Sequence, residues 1–504
     1  MITSSAPVAR LHPLETLEFT NSYARLGPAF HSPVAPTPLS DPHLISFNAD
    51  LAGQLGLDPA EAGRPGFLAW LNGEHRLPGS EPVAMLYAGH QFGHYVPQLG
   101  DGRAIILGEI CTDHGERWEL QSKGAGPTPY SRNGDGRAVL RSTLREYLCS
   151  EAMHALGVPT TRALCMAGSN EEVYRERIER GALLLRAAPS HVRFGSFEVF
   201  YYRNQFPQLQ LLADYVITHH YPQLQQADNP CLALYQEVVE RTARLLAQWQ
   251  LIGFAHGVMN TDNMSILGLT LDYGPFGFMD TYDPGFVCNH SDHAGRYAFD
   301  RQPDIGLWNL SCLGQALLPL LDENAEAAAE LATAQFERYR DIFTAHYEAG
   351  LRAKLGLQTA GTHDLELAQE FLALLADDGR DHTLSFRRLA MFDSGDNADN
   401  RDLRDQFINR EAFDAWSARY RDRLRRENSD DAVRRAAMNR VNPRYILRNY
   451  LAQQAIEQAE AGDYSELERL LQILRRPFDE QPEHAAYAAE PPDWSRSITL
   501  SCSS

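Results

Sequence analysis

The segment from His256 to Asp272 carries residue types that could bind a divalent cation and move a proton. Asn263 and Asp272 lie nine residues apart, and we predict that a hairpin of two short apolar strands brings their side-chain oxygens together. Amide and carboxylate oxygens are the ligands that a hard cation such as Mg²⁺ prefers. Asp262 would lie beside that cation, where it could orient or deprotonate a hydroxyl group. The alternative is a polar turn capped by an Asp or Asn side chain.

A set of basic residues upstream could bind phosphate. Lys123 ends a predicted strand, and it is one of two lysines among 46 basic residues. An exposed charge at a strand edge is the alternative for this lysine. Arg186 and Arg193 lie seven residues apart in a segment rich in small and aromatic residues, where two planar guanidinium groups could each bind phosphate oxygens in pairs. The alternative for these arginines is a salt bridge between two lobes.

The pentapeptide Gly-Asp-Gly-Arg-Ala occurs twice, starting at Gly100 and again at Gly134. The first copy lies in a predicted turn between two strands. Glycine has no Cβ, so the backbone amides of such a turn can approach a phosphate or a base closely. The second copy could equally be a simple loop.

Apolar patterning predicts the elements that position these side chains. Short β-like runs between residues 95 and 125 predict an antiparallel meander, and residues 181–186 predict another strand. A four-residue apolar period predicts one helix over 141–156, and a second helix that ends near Gly253. From residue 308 onward the pattern is nearly all helical. We therefore predict an α+β fold, β-rich in its N-terminal half and helical in its C-terminal half.

The composition narrows the class of protein. The chain has 504 residues, of which 44 % are hydrophobic and 22 % are charged, as in multi-lobed globular proteins. Its net charge of −20 argues against nucleic acid as a partner, so phosphate would have to bind in a small enclosed basic pocket. The sequence has no long apolar run and no secretory leader pattern, so we expect a cytoplasmic protein without a membrane segment.

The spacing around His256 resembles the catalytic core of protein kinases. In kinases a metal-binding Asn follows the His by seven residues, as Asn263 does here, and a strand and an Asp-Phe-Gly motif come next. Lys123 and Glu146 match the kinase ion pair that positions nucleotide phosphates. The kinase catalytic Asp is absent, because Val258 occupies its position. A neighbouring carboxylate would have to replace it.

Four segments resemble signatures of the selenoprotein O family of kinase-fold protein adenylyltransferases. They are Lys-Gly-Ala-Gly-Pro-Thr-Pro-Tyr-Ser-Arg at 123–132, His-Val-Arg-Phe-Gly-Ser-Phe-Glu at 191–198, His-Gly-Val-Met-Asn-Thr-Asp-Asn-Met-Ser at 256–265 and Asp-Tyr-Gly-Pro-Phe-Gly-Phe-Met-Asp at 272–280. The resemblance implies a two-lobed protein-kinase-like fold with N- and C-terminal extensions. It also implies that ATP binds in a flipped orientation and that AMP is transferred to protein Ser, Thr or Tyr hydroxyls with release of pyrophosphate. Whether UTP could also serve, as a donor of UMP, is left open.

The resemblance also implies roles for single residues. Asn263 and Asp272 would hold Mg²⁺, with Mn²⁺ as the alternative, Asp262 would be the proton acceptor, and Glu146 would pair with Lys123. The implied nucleotide contacts are Gly100, Gly102, Arg103, Lys123, Asp135, Gly136, Arg186, Arg193 and Asp272. The predicted domains are an N-terminal extension over 1–80, a kinase-like N-lobe over 81–187, a helical C-lobe over 188–480 and a tail over 481–504. A weaker hypothesis joins Cys288 to Cys502 of the tail in a disulfide that senses redox state, and free thiols are the alternative.

Two other functions share part of this pattern. A phosphotransferase of the aminoglycoside-kinase type has the same His, Asn and Asp layout, although Val258 and the pair Arg186 and Arg193 argue against it. A pseudokinase that binds nucleotide as a scaffold is the non-enzymatic alternative.

Overall fold

The computed structural model describes residues 11–396 and 398–500. Its strands are β1 (His31–Pro33), β2 (His43–Phe47), β3 (Val83–Met85), β4 (Gly89–Gln91), β5 (His94–Val96), β6 (Ala104–Cys111), β7 (Arg117–Lys123), β8 (Ala138–Val139), β9 (Arg162–Tyr174), β10 (Ile178–Ala188), β11 (Phe254–Ala255) and β12 (Gly277–Phe278). Its α-helices are α1 (Ala49–Gln54), α2 (Pro65–Leu71), α3 (Leu140–Ala155), α4 (Phe194–Tyr202), α5 (Phe206–His220), α6 (Pro230–Ile252), α7 (Gln302–Leu321), α8 (Ala325–Lys354), α9 (Asp364–Asp377), α10 (His382–Leu389), α11 (Arg401–Arg404), α12 (Arg410–Arg426), α13 (Asp431–Val441), α14 (Asn449–Glu460) and α15 (Ser465–Leu474).

The main sheet is antiparallel and has the strand order β1-β3-β6-β7-β10-β9-β2, with β8 beside β10. The predicted meander is confirmed by β6 and β7, and the predicted strand over 181–186 lies within β10. Lys123 at the end of β7 lies opposite Ala104 on β6 and Leu184 on β10. This register places the lysine in the middle of the sheet rather than at an exposed edge.

Both faces of the sheet are covered, which explains the nearly continuous apolar runs of β6 and β10. Because side chains alternate along a strand, Ile106 and Leu184 pack on the face that carries α3, whereas Ile105 and Leu183 pack on the opposite face. Chain from before residue 80 covers that second face through α1 and α2, and it also supplies β1 and β2 at the two ends of the sheet.

Two predicted helices are confirmed and have clear end signals. Helix α3 matches the prediction over 141–156 within a residue at each end. Helix α6 begins after Asn229, whose side chain accepts a hydrogen bond from Leu232 N at 3.0 Å. It ends at Gly253, which has a left-handed backbone with φ of 69°.

Helices dominate the chain from α4 to α15, as the patterning from residue 308 onward predicts. The mixed α and β class is therefore confirmed, while the kinase-like two-lobed arrangement and the domain boundaries stay predictions. Among the residues the structure describes, no helix is both long enough and apolar enough to cross a membrane.

The predicted hairpin between Asn263 and Asp272 is wrong. Residues 264–271 form a loop whose two ends make single bridges to other segments, Ser265 with Arg193 and Thr270 with Thr160. A turn at Gly268 lies between these bridges, so the apolar residues of the loop are buried against neighbouring segments rather than against each other.

Candidate active site

One cavity of about 620 Å³ brings most of the predicted residues together. Its walls combine the end of β7 and the β9–β10 pair with the segments that follow α6. Among its lining residues are Gly100, Gly102, Arg103, Lys123, Asp135, Gly136, Arg186, Val258, Asn263 and Asp272. The remaining predicted residues do not line the cavity. Glu146 and Arg193 pair with the lining residues Lys123 and Asp272, and Asp262 binds Arg193 and directly precedes the lining residue Asn263.

Lys123 is held by a buried carboxylate on the neighbouring helix. Its Nζ forms an ion pair with Glu146 Oε2, and Arg186 Nε donates to the other oxygen, Oε1, of the same carboxylate. Burial, together with the nearby guanidinium groups of Arg186 and Arg103, lowers the pKa of Lys123 to about 8, while Glu146 opposes this shift. Glu146 therefore fixes two cationic side chains at the wall of one cavity.

Asp272 forms ion pairs with two arginines. Arg186 Nη1 lies 2.9 Å from Asp272 Oδ1, and Arg193 Nη1 lies 2.6 Å from Oδ2. Burial alone would raise the pKa of Asp272, but the guanidinium groups of Arg193 and Arg186 lower it well below its usual range. The residue also has a left-handed backbone with φ of 58°, an unusual conformation for a side chain with a Cβ. Asp272 is therefore a fixed carboxylate.

Asp262 lies in a different electrostatic environment. Its main-chain oxygen accepts a hydrogen bond of 2.8 Å from Arg193 Nη1, but its carboxylate forms no ion pair with any residue that the structure describes. Burial raises the pKa of Asp262 to about 7, against a hydrogen bond from Gln91 that lowers it. Oδ1 is buried and has no hydrogen-bond partner within residues 11–396 and 398–500. The two carboxylates therefore differ strongly in proton affinity, as acid–base and metal-binding roles require.

Asn263 and Asp272 offer a donor set that fits Mg²⁺ only in part. Asn263 Nδ2 donates to Val258 O at 3.0 Å, which leaves the amide oxygen Oδ1 as a ligand atom. Both oxygens of Asp272 already accept from guanidinium groups. A cation would have to share them with two positive charges, and such an arrangement becomes favourable when anionic phosphate oxygens complete the coordination. The residues thus fit a cation that arrives with a nucleotide.

Packing explains the glycines of both repeated pentapeptides. Gly100 has a φ of +139°, and a Cβ there would lie 2.8 Å from Met85 O and would overlap the ring of Tyr130. Gly136 has a φ of +67°, and a Cβ there would meet the carbonyl group of Gly126. Both loops are therefore closely packed walls of the cavity.

Comparison with known proteins identifies the family. The model of the family described as Protein adenylyltransferase SelO matches residues 13–475. The chain is 59 % identical over 494 residues to a protein nucleotidyltransferase YdiU of Thioalkalivibrio sulfidiphilus, an alignment that covers 98 % of this chain and 100 % of the relative. A relative of the same name from Myxococcus xanthus is 58 % identical, with 97 % and 99 % covered. The chain belongs to the SelO family.

Membership of the SelO family confirms the prediction of an enzyme, a nucleotidyltransferase. ATP is the co-substrate that an adenylyltransferase family implies. Val258, which occupies the position of the kinase catalytic Asp, lines the cavity. This family of nucleotidyltransferases thus includes a chain without that Asp.

The structure adds two residues that the sequence analysis missed. Arg175, in the turn after β9, lines the cavity and binds both oxygens of Asp135, at 2.7 and 2.8 Å. Gln91 donates from Nε2 to Asp262 Oδ2 at 3.1 Å. Neither has a distinctive motif. The one available signal for Gln91 is its position in Gly-His-Gln-Phe-Gly, in which two polar residues and a Phe lie between glycines.

Proposed function

We propose that this SelO-family chain transfers AMP from ATP to Ser, Thr or Tyr hydroxyl groups of proteins and releases pyrophosphate. The observation that carries the proposal is the convergence of Lys123, Arg186 and Asp272 on one cavity of nucleotide size. Two cationic side chains of this cavity, those of Lys123 and Arg186, are almost completely buried, and Arg103 adds an exposed positive charge to its wall. Buried cations favour a ligand with several negative charges, such as a triphosphate.

In the proposed reaction the substrate hydroxyl oxygen attacks the α-phosphorus of ATP. The bond from the α-phosphorus to the oxygen that bridges it to the β-phosphate breaks, and pyrophosphate leaves with that electron pair. Asp262 accepts the hydroxyl proton: it precedes the cavity-lining residue Asn263, its carboxylate forms no ion pair among the described residues, and burial raises its pKa to about 7. Lys123 and Arg186 stabilise the charge that grows on the leaving pyrophosphate.

Asn263 and Asp272 would hold Mg²⁺, or Mn²⁺ in its place. Bound there with the nucleotide, the cation would neutralise charge on the phosphates. Arg193 keeps Asp272 in position and also binds the main chain of Asp262, so it links the metal-binding residue to the proton acceptor. This link supports a single site in which both groups act on the same phosphate.

Position-specific labelling of ATP tests the proposal. Purified enzyme is incubated with a mixture of cellular proteins and with ATP labelled at the α-phosphate or, separately, at the γ-phosphate. Label retained on protein only from the α-position supports transfer of AMP. Label only from the γ-position would support a phosphotransferase, and label from neither would support a nucleotide-binding scaffold. UTP labelled at the α-phosphate tests the second donor in the same assay, and Asp272→Asn is the inactive control.

The tail hypothesis is a separate part of the proposal. Cys502 lies outside the described residues, whereas Cys288 is buried, with its Sγ 3.5 Å from Ala255 O. His290 N donates to Leu500 O at 2.8 Å, so the described end of the chain lies beside the segment that contains Cys288. This contact supports the proposed Cys288–Cys502 disulfide. Peptide mapping of oxidised protein tests it, and free Cys288 and Cys502 in that sample would refute it.

A further inference from the structure

The β4–β5 hairpin packs residue by residue on the loop that contains Asp262. His90 N donates to Thr261 Oγ1 at 2.7 Å, Gln91 Nε2 donates to Asp262 Oδ2 at 3.1 Å, and Phe92 N donates to Asn260 Oδ1 at 3.1 Å. Three consecutive residues of the hairpin thus bind three consecutive residues of the loop.

A buried hydrogen-bonded ring closes the contact on one side. Thr261 Oγ1 donates to Glu198 Oε2 at 2.6 Å, and Glu198 Oε1 lies 2.7 Å from His90 Nδ1. Glu198 is fully buried on α4, so water does not compete for these bonds. The ring fixes Thr261, the residue before Asp262, against both the hairpin and α4.

Gly89 brings the hairpin unusually close to Asp262. The three nearest atoms to a Cβ built on Gly89 all belong to Asp262, and Oδ1 would lie at 2.7 Å. Because Gly89 has no side chain, the Asp262 carboxylate can lie with Oδ1 beside the Gly89 main chain. Gln91 binds the other carboxylate oxygen, Oδ2.

We infer that Gln91 is a positioning residue that orients the carboxylate of Asp262 for the reaction, and that the β4–β5 hairpin is the element that supplies it. The inference rests on the proposed role of Asp262. Gln91 does not line the cavity, so it acts through Asp262 rather than on the nucleotide. Its amide donates to Oδ2, while Oδ1 has no hydrogen-bond partner in the described part of the chain. Gln91 and Gly89 together thus set the direction of the carboxylate, with Oδ2 bound to the Gln91 amide and Oδ1 beside the main chain at Gly89.

Two variants of Gln91 separate orientation by hydrogen bonding from simple packing. Gln91→Ala removes the donor, and we expect kcat for AMP transfer to fall about tenfold with KM for ATP unchanged, the loss expected for one hydrogen bond to a charged group. Gln91→Glu has the same length but replaces the donor with a negative charge that faces Oδ2. We expect kcat to fall about 100-fold, further than in Gln91→Ala, because the two carboxylates repel each other.

The control is His94→Ala, which changes an exposed side chain on β5 opposite Gln91 and should keep wild-type kcat. Gly89→Ala should reduce kcat by displacing Asp262. A purely packing role for Gln91 predicts the reverse order, with the isosteric Glu variant near wild type and the Ala variant impaired. That order, or wild-type kcat in both Gln91 variants, would overturn the inference.

A crystal structure of Gln91→Ala separates this inference from the proposed function. A rotated Asp262 carboxylate would support the positioning role, and an unchanged carboxylate would overturn it, whatever reaction the enzyme performs. Failure of wild-type enzyme to transfer AMP would refute the proposed function alone.

Discussion

Arg193 donates a hydrogen bond of 2.6 Å from Nη1 to Asp272 Oδ2 and makes this bond from an almost completely buried position. The same nitrogen also donates to Asp262 O, and the guanidinium group lies 4.4 Å from the ring centroid of Tyr87. One side chain thus fixes the distance between the two carboxylate residues of the site. Arg193 is therefore a structural centre of the candidate active site, even though it does not line the cavity.

Arg193→Met should impair both the geometry and the reaction. Asp272 would keep Arg186 as its only guanidinium partner among the described residues, and the main chain of Asp262 would lose its anchor. We expect kcat/KM for AMP transfer to fall at least about tenfold, as for the loss of a charge-assisted hydrogen bond. Steady-state assays check this, with the exposed Arg203→Met on the same segment as the control. Equal activity of both variants would contradict the assignment.

Asp262→Asn and Asp272→Asn should both lose activity but should change stability in opposite directions. Asp262 is a buried carboxylate that forms no ion pair with the residues described, so its neutral replacement should raise the melting temperature at pH above 7. Asp272 compensates Arg186 and Arg193, so its replacement should lower the melting temperature. Calorimetry of the nucleotide-free variants measures both changes. Shifts of the same sign would show that the charge assignment is wrong.

Sequence patterns predicted several helices and strands of this fold correctly because the residues that determine such an element are close together in sequence. The apolar period of α6 and the glycine that ends it are adjacent in sequence, and the nearly continuous apolar run of β10 reflects a strand with two covered faces. The failed hairpin between Asn263 and Asp272 has the opposite cause. Its loop is held by bridges from Thr270 to Thr160 and from Ser265 to Arg193, contacts with residues far away in sequence that no local pattern reveals.

Prediction of the candidate active site from sequence has the same limit: residues placed by tertiary packing carry no local signal. Lys123 stood out because lysine is rare in this chain, and the residues after His256 stood out by their spacing. Gln91 and Arg175 carry no such signal, because each acts on a carboxylate brought to it by tertiary packing. Sequence analysis could therefore find residues that belong to a recognised pattern, including the orienting Glu146, but could not find orienting residues that belong to none.

Arg175→Ala should weaken nucleotide binding without abolishing the reaction. Arg175 binds both oxygens of Asp135 and the main-chain oxygen of Arg137, so it holds the second glycine loop in the cavity wall. The pair is partly exposed, so we expect the dissociation constant of ATP to rise only about threefold to fivefold. Titration calorimetry measures it. Arg177→Ala, which removes an exposed pair with Glu460, should have no effect, and an equal loss in that variant would rule out a specific role for Arg175.

Lys354→Met should stabilise the protein and remove part of its pH dependence. Lys354 is buried at the end of α8, with its Nζ 4.2 Å from the ring centroid of Phe386, and burial lowers its pKa from the usual 10.5 to about 7. Between pH 7 and 10.5 the unfolded chain binds a proton at this lysine that the folded chain does not, so its contribution makes the free energy of unfolding rise with pH. Replacement by Met should add roughly 2–4 kcal/mol at pH 7 and progressively less as the pH approaches that of the free lysine. Urea unfolding at pH 7 and pH 9 measures this difference, and Arg352→Met on the same helix is the control. An equal pH dependence of the free energy of unfolding in wild type and Lys354→Met would contradict the prediction.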